Sequence, residues 1–157
     1  MSDAPLRPFA QSLPMALLKA REAVMSHFRP ILAAENITEQ QWRVLRALAD
    51  DDQPLSVSQI VERTFLLGPS LSRILAGLER RGMLDRDTAS EDARRALISA
   101  NPAGRALLAK IGPLSEARYR WIEERLGAGQ LDRLYELLAL VADAGLDAGD
   151  AEAEAEA

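Results

Sequence analysis

The sequence predicts a mainly α-helical fold with one small β-hairpin. Three observations carry that reading: apolar stripes at helical spacing near both ends of the chain, two short capped helices in its middle, and a change to short strand-like segments after Gly82. In the first stripe Leu13, Leu17, Ala20, Val24, Phe28 and Ile31 recur at three- and four-residue steps. This predicts a helix over 13–34, with Pro30 expected to bend it or end its regular hydrogen bonding. Thr38 followed by Gln41 is a capping-box spacing, so a second helix should run from there to about Ala49 with Trp42, Leu45, Leu48 and Ala49 buried. The acidic run ending in Pro54 stops it.

Ser56 caps a short third helix, Val57 to Thr64, with Ile60 and Val61 inward; Phe65 to Gly68 is a brief connection. Pro69, at home in a first helical turn, opens a fourth helix expected over Ser70 to Arg81 and closed by Gly82. Leu71, Ile74, Leu75 and Leu78 share one of its faces, and Ser70, Arg73, Gly77, Arg80 and Arg81 lie opposite. Met83 to Asp87 and Ala96 to Ala100 then read as strands of a hairpin with a long polar tip. Asn101-Pro102 begins a long helix carrying Leu107, Leu108, Ile111, Leu114, Ile122 and Leu126, kinked at Gly112-Pro113. After the turn Gly127 to Gly129 comes a last helix, Gln130 to Ala144, with Leu131, Leu134, Leu137, Leu138 and Val141 inward.

Composition bounds what such a chain can do. The 157 residues suit one domain with an extension, and 48% hydrophobic with 27% charged residues is ordinary globular usage. Without cysteine there are no disulfides, thiolate nucleophiles or cysteine zinc sites, and a single histidine, His27, rules out a histidine-rich metal centre. No glycine-rich phosphate loop and no isolated carboxylate pair points to an enzyme, and no cofactor or metal is expected. There is no apolar run of membrane-spanning length and no signal-peptide pattern at the N-terminus, so a cytoplasmic location is expected. The net charge of −5 is concentrated in the tail: Asp143 to Ala157 holds six acids and no base, which leaves 19 bases against 18 acids in the rest. Residues 146–157 are expected to be an acidic, solvated, disordered end. Between Pro54 and Arg105 there are eight arginines, no lysine and six acids. Arginine is the side chain suited to phosphate and guanine.

Two short helices joined by a few residues match a helix-turn-helix, whose second helix presents its polar face to the DNA major groove. A following hairpin with arginines at its tip is the winged form, the tip reaching an adjacent minor groove. The predicted fold is thus a winged helix-turn-helix over 38–100, flanked by dimerisation helices at 13–34 and 101–145. The terminal helices carry more apolar surface than a reading head of about 50 residues can cover, so they should pack on each other and on a second copy in a homodimer.

Several strings resemble the MarR family of winged-helix transcription factors over about Leu13 to Gly145: ITEQQWRVLRAL at Ile37 to Leu48, PSLSRILAGLERRGML at Pro69 to Leu84, and SEDARRALISANPAG at Ser90 to Gly104. Asp92-Ala93-Arg94 fits the Asp-x-Arg of the family's wing tip, whereas Ser-Ala-Asn-Pro at 99–102 replaces its usual Leu-Thr pair. LLKAREAVMSHFRPIL at Leu17 to Leu32 is similar to the subgroup of repressors of homoprotocatechuate degradation. The resemblance implies a homodimeric repressor on a pseudo-palindromic double-stranded operator, released when a small aromatic acid or phenol binds between the dimerisation helices and the reading head. By position it implies that Ser70, Ser72 and Arg73 meet base edges or phosphates, that Arg94 enters the minor groove held by Asp92, and that Arg80, Arg81, Arg86 and Arg95 contact phosphates.

An anionic aromatic effector needs a fixed cation, an apolar slot and a polar group for a ring hydroxyl. Related sensors imply Arg21 for the carboxylate and His27 or Ser26 for the hydroxyl, with Trp42 and Arg46 from the second helix. Each has a competing structural role: Arg21 pairing with Glu22 or another acid, His27 a satisfied interface residue, Trp42 core, Arg46 pairing with Asp50. Two other readings of the chain stay open, a DNA-binding regulator without an aromatic effector and a winged-helix protein-interaction module.

Overall fold

Local capping explains where the helices begin. The computed structural model describes residues 6–51, 53–87 and 96–144; the wing tip with Asp92, Arg94 and Arg95, and the acidic tail at 146–157, lie outside the described residues. After a 3-10 turn at Phe9–Gln11, helix α1 spans Leu13–Ala34, α2 Glu39–Ala49, α3 Val57–Thr64, α4 Gly68–Arg80, α5 Pro102–Leu126 and α6 Gln130–Ala142. Both predicted caps form as full capping boxes. Thr38 and Gln41 exchange side-chain-to-backbone hydrogen bonds at the start of α2, as do Ser56 and Gln59 at the start of α3, and each N-cap contributes about 1 kcal/mol. Helix α4 starts two residues earlier than expected, at Gly68, because Pro69 already occupies its first turn.

Two prolines lie inside helices without ending them. Pro30 removes the donor for the Ser26 carbonyl and Pro113 the donor for that of Ala109, but Ser26 and Ala109 are solvent-exposed and helical structure continues past both prolines. Gly112 has no side chain to clash with the Pro113 ring, which eases the passage of α5.

The hairpin is part of a larger sheet. Strand β1 (Leu55–Ser56), unforeseen from sequence because it is two residues long, pairs antiparallel with β3 (Leu97–Ala100), which also pairs with β2 (Leu84–Asp87), giving the order β1-β3-β2. The register sets Leu84 opposite Ala100 and Ile98 between Leu55 and Arg86. Ala96, Ile98 and Ala100 point inward while Leu97 is exposed, so the alternation is real but carried partly by alanine.

By backbone packing the described chain forms two units, one up to Ser115 and one from Glu116 onward, with α5 running through the boundary. The core of the first unit joins Leu45 and Leu48 of α2, Ile60 of α3, Leu71 and Leu75 of α4, and Ile98 of the sheet. Burying each such side chain contributes roughly 1.5–3 kcal/mol. The buried face of α2 is Val44, Leu45 and Leu48; Trp42 is only half-buried and Ala49 is exposed, because the helix is covered from the α4 side as well as by the sheet. Of the expected α1 stripe only Phe28 is buried, joined by Leu32, while Leu13, Leu17 and Val24 are exposed. In the second unit Leu134, Leu137 and Leu138 of α6, expected to face inward, are 41%, 52% and 38% exposed. On α5 Leu114 and Leu126 are likewise exposed, while Ile111 is buried in the core and Leu107 and Leu108 pack half-buried against it.

Candidate nucleic-acid interface and effector site

Helix α4 is divided lengthwise. Leu71, Leu75 and Leu78 sit in the core at no more than 1% exposure, and this fixes the rotation of the helix so that Ser70, Ser72, Arg73 and Arg80 face solvent. The Ser72 hydroxyl donates to the Gly68 carbonyl at 3.1 Å, leaving its oxygen lone pairs outward. Arg73 and Arg80 carry no ion pair among the described residues, so two guanidinium groups stand on an open helix face able to take phosphate or guanine acceptors. Gly77, expected on this outer face, instead lies half-buried against Gln41 of α2, where even a methyl group would be in contact at 3.6 Å.

Two further arginines are occupied. Arg81 donates from Nη1 to the Asn36 carbonyl at 2.7 Å and from Nη2 to the Glu35 carbonyl at 3.2 Å, tying the end of α4 to the turn between α1 and α2. Arg86 on β2 pairs with Glu79 of α4 at 2.5 Å, which braces the root of the wing. Asn101 braces it from the other side: its Nδ2 donates to the Gly82 carbonyl at 2.7 Å, and its Oδ1 accepts the Gly104 N–H at 3.0 Å. Gly82 itself, at φ +64°, stops α4 in the left-handed conformation that sends the chain into β2.

The residues expected to bind an effector fall into two groups. Arg21, Ser26 and His27 lie on α1. Arg21 donates to Glu22 at 2.8 Å and to Glu39, the first residue of α2, at 2.6 Å; Arg29 binds both of the same acids. Burial alone would raise the Glu39 pKa, but the hydrogen bonds from Arg29 and Arg21, with their charges, hold the carboxyl below the usual range. Arg29 is raised further above the usual guanidinium value, chiefly by Glu22 and then Glu39. Ser26 donates to its own helix at the Ala23 carbonyl, 2.7 Å away, and His27 is half-buried with partners of its own. The second group is on α2, where the Arg46 guanidinium lies 6.0 Å from the centroid of the Trp42 ring. Arg46 also lines a charged surface hollow with Arg43, Asp50, Asp51 and Arg63. Within that hollow Arg63 is paired with Asp51 at 2.6 Å, and Arg43 reaches the Thr64 carbonyl at 3.0 Å. Arg21 is not among the residues that line this hollow.

Glu39, Arg29 and Arg43 were not singled out from sequence. The spacing of Glu22 and Arg29, seven residues apart and therefore on one helix face, was the available signal for the first cluster. Arg43 gave none, because the carbonyl it holds belongs to another helix.

Four similarities to known proteins fit this geometry. The profile of the MarR family matches residues 35–96, from the α1–α2 turn to the start of β3. The chain is 41% identical over 127 residues to the homoprotocatechuate degradative operon repressor of Escherichia coli, an alignment covering 81% of this chain and 85% of that one. It is also similar to NadR in its crystal structure with 4-hydroxyphenylacetate (TM-score 0.75, 38% identity, 89% of this chain and 99% of that one). The repressor CouR bound to a 23-mer DNA duplex superposes with a TM-score of 0.76 at 27% identity, over 88% of this chain and 99% of CouR.

Proposed function

The chain belongs to the MarR family of winged-helix, DNA-binding transcriptional regulators, and on that premise we propose that it is a homodimeric repressor released from its operator by a small aromatic acid. The observation that carries the DNA side is the division of α4, with a leucine face locked in the core and Ser70, Ser72, Arg73 and Arg80 left facing solvent. Base edges fall to Ser70, Ser72 and Arg73, and phosphates to Arg73 and Arg80. Arg94, held by Asp92, takes the minor groove, with Arg95 on the flanking phosphates. Arg86 holds Glu79 through Nε and keeps its two terminal nitrogens for phosphate. Arg81 we assign to holding α4 in place, because its guanidinium already serves two carbonyl groups.

The dimer rests on apolar surface. Leu134, Leu137 and Leu138 form an exposed leucine face on one 13-residue helix, the kind of surface a second copy covers. Two reading heads then meet half-sites roughly 34 Å apart on a pseudo-palindrome.

For the effector, Arg46 with Trp42 is the better-prepared pair: a cation with no acid partner among the described residues lies over an aromatic ring that can stack on another. Arg21 must first exchange a protein carboxylate for the ligand's. A 41%-identical relative is named for homoprotocatechuate degradation and the 38%-identical NadR was crystallised with 4-hydroxyphenylacetate. Both support a hydroxyphenylacetate-class ligand here, which shifts the equilibrium only by its differential affinity for the two dimer shapes.

Fluorescence anisotropy on a duplex from upstream of the protein's own gene, at about 150 mM salt, tests this. We expect specific binding that 4-hydroxyphenylacetate or 3,4-dihydroxyphenylacetate reverses in the wild type, and much less in Arg46→Ala. Binding that no aromatic acid affects would leave a MarR-type regulator without this effector class. Retained release in Arg46→Ala with loss in Arg21→Ala would move the carboxylate to α1.

A further inference from the structure

The link between α3 and α4 displays two large apolar side chains that the fold does not use. Phe65 is 89% exposed and Leu67 77%, while Leu66 between them is buried at 8% in the core cluster. The buried Leu66 acts as a peg, so its neighbours on either side are splayed outward. Phe65 caps α3 at φ 53°, ψ 28°, its N–H donating to the Val61 carbonyl at 2.8 Å. That left-handed conformation suits glycine and disfavours a bulky side chain. Folding alone would thus be served better by glycine at 65 and by a polar cap at 67, where Leu67 stands as the N-cap of α4 without a side-chain capping bond.

The position of the pair points to a use. Leu67 directly precedes the first turn of α4, three residues before Ser70 and six before Arg73, so the two exposed apolar residues adjoin along the chain the exposed polar residues assigned above to DNA. In a helix-turn-helix the N-terminal residues of the second helix are those that reach base edges. An apolar side chain gains nothing from phosphate, and the apolar group displayed in the major groove is the C5-methyl of thymine.

We propose that Phe65 and Leu67 read thymine methyl groups in the operator, fixing sequence preference at positions next to those contacted by Ser70 and Arg73. This rests on the DNA-binding reading of α4 and adds to it a base and two residues. The test uses full-length protein and the upstream duplex, resynthesised with deoxyuridine replacing thymidine at one position at a time, which removes only the methyl group. One or two substitutions per half-site should weaken wild-type binding about 3- to 10-fold. Phe65→Gly relieves the backbone strain and should fold at least as well as the wild type. It should nevertheless bind thymine and uracil duplexes alike at one of those positions, and Leu67→Ala should do the same at another.

Equal wild-type affinity for all uracil duplexes would overturn the proposal, as would a methyl effect that persists unchanged in both variants. Dissociation of the dimer by Phe65→Gly in analytical ultracentrifugation would also overturn it, by showing the patch to be a contact between copies. Failure of the wild type to bind any upstream duplex specifically would remove the DNA-binding reading itself, and the proposal with it.

Discussion

Gly104 sits where α5 presses against the chain leading into the wing. A Cβ built there would lie 2.4 Å from the Met83 carbonyl oxygen and 3.5 Å from Leu45 Cδ2, whereas ordinary contact begins at 3.4 Å. A methyl group therefore requires the two backbones to separate by about 1 Å. Neither can move independently: the Asn101 N–H donates to that same Met83 oxygen at 3.2 Å, and the Asn101 side chain bridges Gly82 and Gly104. Overpacking of this kind costs about 1–3 kcal/mol, against a helix-propensity gain for alanine of at most about 1 kcal/mol, smaller in a first turn. Gly104→Ala should thus destabilise by about 1–2 kcal/mol and lower Tm by roughly 3–8 °C for a chain of this size. The matched control is Gly77→Ala, in the interior of α4. There the new methyl group meets Gln41 Nε2 at an ordinary 3.6 Å, and stability should rise by about 0.5–1 kcal/mol. Circular-dichroism melts at one fixed protomer concentration compare the three proteins. A Gly104→Ala variant melting at or above the wild type would refute the close-approach argument, and equal shifts in both variants would show that helix propensity alone is being measured.

Three further predictions concern the charged groups around the reading head. Because the folded Glu39 carboxyl has a depressed pKa, its contribution to stability is present above the unfolded value of about 4.3 and is lost as pH falls through the lower folded value. Glu39→Gln should therefore lower stability by about 0.5–1 kcal/mol at neutral pH, a figure reduced for solvent screening, and by much less near pH 3. A urea-midpoint difference that does not change with pH would count against the pairing. Arg73→Ala should reduce the slope of log affinity against log salt by about 1, as expected for a lost phosphate contact. Arg81→Ala should leave the slope unchanged while lowering stability by about 1 kcal/mol through loss of its bonds to Glu35 and Asn36; a reduced slope would return Arg81 to the phosphate contacts.

The sequence by itself determined the features that depend on a few neighbouring residues. Thr38 with Gln41 and Ser56 with Gln59 start their helices because a cap is satisfied within four residues. Gly82 ends α4, and the spacing of Leu71, Leu75 and Leu78 settles which side of that helix is left to solvent. The strings at 37–48, 69–84 and 90–104 likewise carried the family, because they combine these local signals in a fixed order. What depends on partners far along the chain was decided by the tertiary structure. Strand β1 exists only because β3, some 40 residues later, offers it hydrogen bonds. Val44, not among the residues expected inside, is fully buried and Trp42 only half-buried because α2 is covered by α3, α4 and the sheet together, which no single-helix periodicity encodes. Arginine is chemically the same residue at 21, 73 and 81, yet acids on α1 and α2, open solvent and two turn carbonyls give those three guanidinium groups different work. A charged side chain's role is set by which acceptors lie within about 3 Å of it, and folding alone brings those acceptors there.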